Sequence, residues 1–247
     1  MSLIEIHSLT KYYQNDFCAI KNLNLFIEEG SFVTVVGPFG CGKSSLIELI
    51  AGIREEYEGV IKIRGQSPGK ARLQHKIGYA FQRPTLLPWR NVIRNIMLPL
   101  EIAGKKDETR VYELLEMVGL RHLAYRMPHE LSGGMQQLIS IVRSLILDPD
   151  ILLLDEPFSS IDEINRTKMH AHLLLIQRQT NKTVIMVTHS LSEAVYLSDK
   201  VIVLTPSPAK VKKTIDIYLS NRSEEILFSE EFLGYVKAIK KELINDI

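Results

Sequence analysis

The stretch SFVTVVGPFGCGKSSLIELI, Ser31 to Ile50, decides how this chain folds. Its first part is a β-branched run that ends at Gly37. A glycine-rich turn follows, then an apolar helical pattern on Leu46, Ile47 and Ile50, with Gly52 placed to end it. Gly37 to Ser44 fits G-x-x-x-x-G-K-[ST] in the strand–turn–helix setting that gives this motif its meaning. Gly37, Gly40 and Gly42 let the backbone turn tightly, so that its N–H groups point inward at phosphate oxygens. The helix starting near Lys43 adds its positive end. Lys43 supplies a full charge for the terminal phosphates, and the Ser44 hydroxyl is a ligand suited to Mg²⁺.

A second apolar run, ILLLDEP at Ile151 to Pro157, reads as a buried strand that ends in two acids. Asp155 at the strand end is placed to hold the Mg²⁺ through water. Glu156 beside it is placed to orient and deprotonate an attacking water. An acid directly after the metal aspartate favours hydrolysis over kinase chemistry. A guanine-reading Asn-Lys-x-Asp is missing, since the one Asn-Lys pair, Asn181–Lys182, continues into Thr183 and Val184.

TVIMVT (Thr183–Thr188) and VIVLT (Val201–Thr205) are two more strands, and strands alternating with helical patterns give an α/β fold. From about Pro84 to Pro149 the pattern turns helical, punctuated by Pro84, Pro88 and Pro99. There Val111, Leu114, Leu115 and Val118 fall on one face between a capping Asp107 and a terminating Gly119. This predicts a helical lobe, about 84–149, inserted in one domain of 1–247, with an extension over about 206–247 whose last part, Glu231 to Ile247, is helical. The 247 residues carry 30 Lys+Arg against 29 Asp+Glu, a net charge of +1, with 45% hydrophobic residues. That balance excludes disorder and a disulfide scaffold and gives no global electrostatic case for nucleic acid. Two cysteines, Cys18 and Cys41, lack zinc-site spacing and point to a reducing compartment. The start MSLIEIHSLT does not read as a signal peptide, and no apolar run is long enough to span a bilayer. The expected location is cytoplasmic.

LSGGMQQ, Leu131 to Gln137, precedes the acidic strand. Ser132 stands where an N-cap belongs, Gly133 and Gly134 permit close backbone approach, and Leu138, Ile141, Val142 and Leu145 give the following helix an apolar face. With this motif added to the other two, the first 205 or so residues resemble the ATP-binding cassette (ABC) family of transport ATPases. The resemblance implies a P-loop nucleotide-hydrolase core with a β-rich N-terminal subdomain and an inserted helical lobe. It implies ATP and Mg²⁺ on the loop Gly37, Pro38, Phe39, Gly40, Cys41, Gly42, Lys43, Ser44 and Ser45. It also implies that Ser132, Gly133 and Gly134 close on the ATP of a second copy, giving a homodimer with two nucleotides at its interface. Tyr13 matches the aromatic that stacks on adenine, with Tyr12 as the neighbouring candidate. Gln82 in YAFQRP matches the glutamine that touches Mg²⁺ and water, Asp162 the loop that crosses to the partner, and His189 the histidine that bonds the γ-phosphate.

TLLPWRNV at Thr85–Val92, with the chain's single tryptophan, and VLTPSPAKV at Val203–Val211 resemble the nitrate/sulfonate/taurine branch of bacterial importers. That branch implies integral membrane permease subunits as partners and, indirectly, a substrate-binding protein, so that the chain lies peripherally on the inner face of the membrane. Trp89 is then either a socket for a permease helix or part of the lobe core. Four positions depart from the family pattern: Phe39 replaces a small residue, Leu138 replaces an arginine, and Ser160–Ile161 replaces Ala-Leu. A soluble ABC-type ATPase outside transport and a binding-only regulatory subunit are the other readings.

Overall fold

The computed structural model describes residues 2–159 and 161–244, so Ser160 of the departing pair and the last three residues of the expected C-terminal helix lie outside it. In chain order the strands are β1 (Ser2–Tyr13), β2 (Phe17–Glu28), β3 (Phe32–Val36), β4 (Glu58–Ile63), β5 (Ile77–Ala80), β6 (Ile151–Asp155), β7 (Thr183–Val187), β8 (Lys200–Leu204) and β9 (Val211–Asp216). The helices are α1 (Lys43–Ile50), α2 (Pro68–Leu73), α3 (Val92–Ile102), α4 (Glu108–Met117), α5 (Gly133–Leu145), α6 (Glu163–Thr180), α7 (Leu191–Leu197) and α8 (Glu230–Ile244). The chain divides into two compact units, residues 1–74 with 183–247 and residues 75–182. No described helix is long and apolar enough to cross a membrane.

In the first unit β1 pairs antiparallel with both β2 and β4, which builds the expected β-rich N-terminal part. A separate layer has β3 in the middle, parallel to β7 on one side and to β8 on the other, with β9 antiparallel on β8. β3 and β7 are buried at every residue, as parallel strands covered on both faces are, and their Val, Ile and Phe content follows from that. Leu46, Ile47, Leu49 and Ile50 turn α1 into this core. Truncating one such side chain to alanine costs about 2–5 kcal/mol.

In the second unit β5 pairs parallel with β6 in the register Ile77↔Ile151 to Ala80↔Leu154. Gly78 is required there: a Cβ on it would meet Ser144 O at 2.3 Å, so α5 crosses β5 against bare backbone. Asp107 caps α4 through the Arg110 N–H at 2.9 Å, and Gly119 follows at φ +68°. Ser132 caps α5. Pro99 does not punctuate. It lies inside α3, close enough to the helix end that its missing N–H disturbs a single turn.

Candidate functional site

The phosphate loop lies between β3 and α1. Gly42 is the residue before the helix, at φ +110°, and a Cβ on it would press on Ala19 O at 3.1 Å. No side chain caps α1, so its first N–H groups face the loop. Lys43 is buried, and its ammonium donates to Gly37 O and Pro38 O, each at 2.9 Å. The loop thus stores a cation on its own carbonyls. Cys41 is buried beneath it, and burial pushes its thiol above the ordinary range, against a smaller lowering by Lys43. It is a packing group rather than a nucleophile.

Of the two tyrosines, Tyr13 reaches the loop: its hydroxyl donates to Ser45 Oγ at 2.8 Å. Lys11 Nζ and the Arg54 guanidinium stand 5.1 and 5.3 Å from its ring centre. Tyr12 pairs with Cys18 across the β1–β2 ladder. His189, just past β7, is exposed and meets the Phe39 ring. Phe39 itself is 93% exposed, so its ring leans outward from the loop.

The second unit assembles the acids. Asp155 ends β6, and Glu156 follows at φ +45°, a left-handed conformation that costs a non-glycine residue about 1–2 kcal/mol. Gln82 Nε2 donates to Glu156 Oε2 at 3.4 Å and to Ser159 Oγ at 3.3 Å. The Ser159 hydroxyl in turn donates to Glu156 O at 3.1 Å, which closes the turn. Gln82, predicted from its motif, and Glu156, predicted from its strand, are therefore in contact. Tyr79 Oη donates to Asp155 Oδ2 at 3.2 Å. Asp162 caps α6 through the Asn165 N–H at 3.0 Å and also accepts from Asn165 Nδ2.

On α5 the Ser132 hydroxyl accepts from Met135 N at 3.3 Å. A Cβ on Gly133 would meet nothing within 4 Å, and one on Gly134 only ordinary contacts with Met169 and Ile161. Neither glycine has positive φ. Packing within the described chain therefore does not call for glycine at either place.

The segment after Gln82 is clamped by two residues that the sequence reading passed over. Arg143 donates to Pro84 O, Thr85 O and Thr85 Oγ1. Asn95, fully buried, accepts from Leu87 N and donates to the carbonyls of Leu87, Arg90 and Asn91. An asparagine on the otherwise apolar face Val92, Ile93, Ile96, Leu100 was the available signal. Trp89 is 72% exposed, which removes it from the lobe core. Leu138, which stands where the family pattern has an arginine, is buried on α5.

A family model described as ABC transporter matches residues 20–159. The chain belongs to the ABC transporter ATPase family. This ABC ATPase is 40% identical, over 99% of its length and 92% of the relative's, to an uncharacterized ABC transporter ATP-binding protein of Methanocaldococcus jannaschii. It is 39% identical to the aliphatic sulfonates import ATP-binding protein SsuB of Bacillus cereus, covering 86% of this chain and 85% of that one. It is 40% identical to the taurine import ATP-binding protein TauB of Rhizobium johnstonii, covering 84% and 79%. Among solved structures it is similar to the dimeric ABC transporter cassette MJ0796 (TM-score 0.76, 30% identity, 87% of this chain and 99% of that one). The post-hydrolysis form of that cassette, bound to ADP and Pi, matches with TM-score 0.75 at 29% identity. The fold is that of an ABC ATPase cassette and the chemistry is ATP hydrolysis.

Proposed function

We propose that this ABC ATPase is the ATP-hydrolysing subunit of an importer for sulfonate- or taurine-like solutes, working as a pair of identical copies on a membrane permease. The observation that carries the paired reading is the glycine pair Gly133–Gly134, whose smallness has no use in the packing of the described residues. Glycines kept bare at a helix start serve a surface that approaches from outside. The dimeric cassette MJ0796 supports the same reading. The names of the sulfonate and taurine import relatives support the solute class.

The donor set fits Mg²⁺: the Ser44 hydroxyl, the Asp155 carboxylate and the Gln82 amide oxygen are hard oxygen ligands, few in number, as suits an ion that arrives with phosphate and water oxygens. When bound, Mg²⁺ neutralises charge on the phosphates. The chain's residues do the rest. Lys43 leaves its loop carbonyls for the β- and γ-phosphate oxygens. Ser45 and the backbone from Gly37 to Ser44 donate to the other oxygens, and Tyr13 stacks on the adenine. Glu156 takes a proton from the attacking water, which Gln82 orients, and His189 donates to the γ-phosphate. Ser132, Gly133 and Gly134 of each copy complete the site on the other, and Asp162 lies on the crossing loop.

Trp89, exposed beside the clamped segment 84–91, suits a short apolar helix of the permease. That contact places the protein on the cytoplasmic face of the membrane, with the substrate-binding protein reached only through the permease.

Phosphate release with Mg-ATP tests the hydrolytic assignment. Glu156→Gln is expected to bind ATP, stop turnover and accumulate as a dimer on gel filtration. Undiminished release by that variant would remove Glu156 from its role. Trp89→Ala is expected to lower recovery of the ATPase with detergent-solubilised permease, and unchanged recovery argues against the socket.

A further inference from the structure

We infer that Tyr79 is a positioning residue for the metal-binding carboxylate of Asp155. The inference rests on the reading of Asp155 as a metal ligand and adds a residue to that site.

The geometry follows from the strand register. Parallel pairing sets Tyr79 beside Leu153, and side chains two residues apart share a face of a strand. Leu153 and Asp155 therefore lie on the face that Tyr79 occupies. A tyrosine leaning along its strand spans the one two-residue step to the carboxylate, and its hydroxyl arrives 3.2 Å from Asp155 Oδ2. Phe81, just past the end of β5, meets the phenol ring: the centroids are 4.5 Å apart with planes at 46°. Tyr79 is half-buried, so its rotamer is set by packing as well as by the bond.

A carboxylate at the end of a strand turns about its own single bonds. The Tyr79 hydroxyl is a donor on Oδ2 and restricts that rotation. Tyr79 has no reacting atom within reach in this role. It acts only through Asp155.

The test is metal binding without turnover. Mn²⁺ is titrated into the full chain with a non-hydrolysable ATP analogue, and free Mn²⁺ is read by electron paramagnetic resonance. Tyr79→Phe keeps the ring and its contact with Phe81 and removes only the hydroxyl. It is expected to weaken Mn²⁺ binding about ten-fold, and to leave binding of the analogue without metal within about two-fold, the size of a change with no contact behind it. Equal Mn²⁺ affinity in Tyr79→Phe and the parent overturns the inference. A matching loss of metal-free analogue binding also overturns it, because that marks general damage to the unit. Asp155→Asn runs beside it as a separate arm. If Asp155→Asn leaves Mn²⁺ binding intact, the metal reading of Asp155 fails; if it abolishes binding while Tyr79→Phe does not weaken it, the positioning inference alone fails.

Discussion

The ring of Phe39 stacks on the imidazole of His189, with centroids 5.9 Å apart and planes 26° from parallel. The two residues are 150 positions apart in the chain and meet because β3 and β7 are parallel neighbours whose C-terminal ends open on the same side. The departure from a small residue at position 39 thus acquires a contact: the ring rests on the histidine expected to bond the γ-phosphate.

Phe39→Ala removes that support. An offset aromatic stack contributes about 0.5–1.5 kcal/mol, and exposure puts this one at the low end. Turnover is expected to fall about three-fold with KM for ATP within about two-fold, because a residue that only steadies His189 acts after ATP is bound. Phe39→Tyr is expected to restore the rate. Steady-state phosphate release measures both, and a faster Phe39→Ala enzyme would mean that the ring holds His189 back rather than in place.

Gly133→Ala should separate folding from assembly. The added methyl meets nothing within 4 Å, and alanine is the better helix former by up to about 1 kcal/mol. Thermal unfolding of the nucleotide-free chain is expected at the same temperature or slightly higher. Light scattering of the Glu156→Gln protein with ATP is expected to lose its dimer when Gly133→Ala is added. A persisting dimer would show that no second copy approaches this backbone.

Asn95→Leu tests the clamp on the segment that follows Gln82. Its side chain serves Leu87 N and three carbonyls while fully buried. Leucine keeps the volume and abandons those groups, at a cost of about 2–4 kcal/mol. Urea denaturation should show the loss. Hydrogen exchange should show faster exchange at Leu87 N–H, which donates to Asn95 Oδ1 at 2.7 Å.

These contacts separate what could be read in the sequence from what could not. The strand Phe32–Val36, the loop to Lys43 and the capped starts of α4 and α5 were legible because local chemistry fixes them: β-branched runs, positive-φ glycines, Asp107 and Ser132 as caps. The family pattern put Gln82 at the water that Glu156 was read to activate, but their direct contact, across 74 residues of chain, came from the structure. Tyr79 on Asp155, Tyr13 on Ser45, Ser159 on Gln82 and Asn95 on the 84–91 segment each depend on strand register or helix crossing, which no local pattern encodes. Pro99 misled for the opposite reason: a local rule says proline ends helices, and burial of α3 on Ile96 and Leu100 outweighs it.

Asp148 gives the protein a dependence on acid that can be signed. The hydrogen bond from Lys182 Nζ, at 2.8 Å, holds its carboxyl below the ordinary range against a smaller desolvation penalty, and the charges of Lys182, Arg110 and Lys76 add to the lowering. A carboxyl whose folded value is depressed stabilises the fold above its unfolded value, about pH 4, and that contribution is lost as pH falls through the folded value. The Asp148 side chain is 68% exposed, so solvent screening limits the pair to about 1 kcal/mol at most. Asp148→Asn keeps a residue that tolerates φ +56° and removes the charge. It is expected to lower stability by up to about 1 kcal/mol at pH 7, by less near pH 3, and by less at pH 7 once about 0.5 M salt is added. Urea midpoints at the two pH values measure the difference, and an equal loss at both would assign the effect to the turn at Asp148 rather than to its charge.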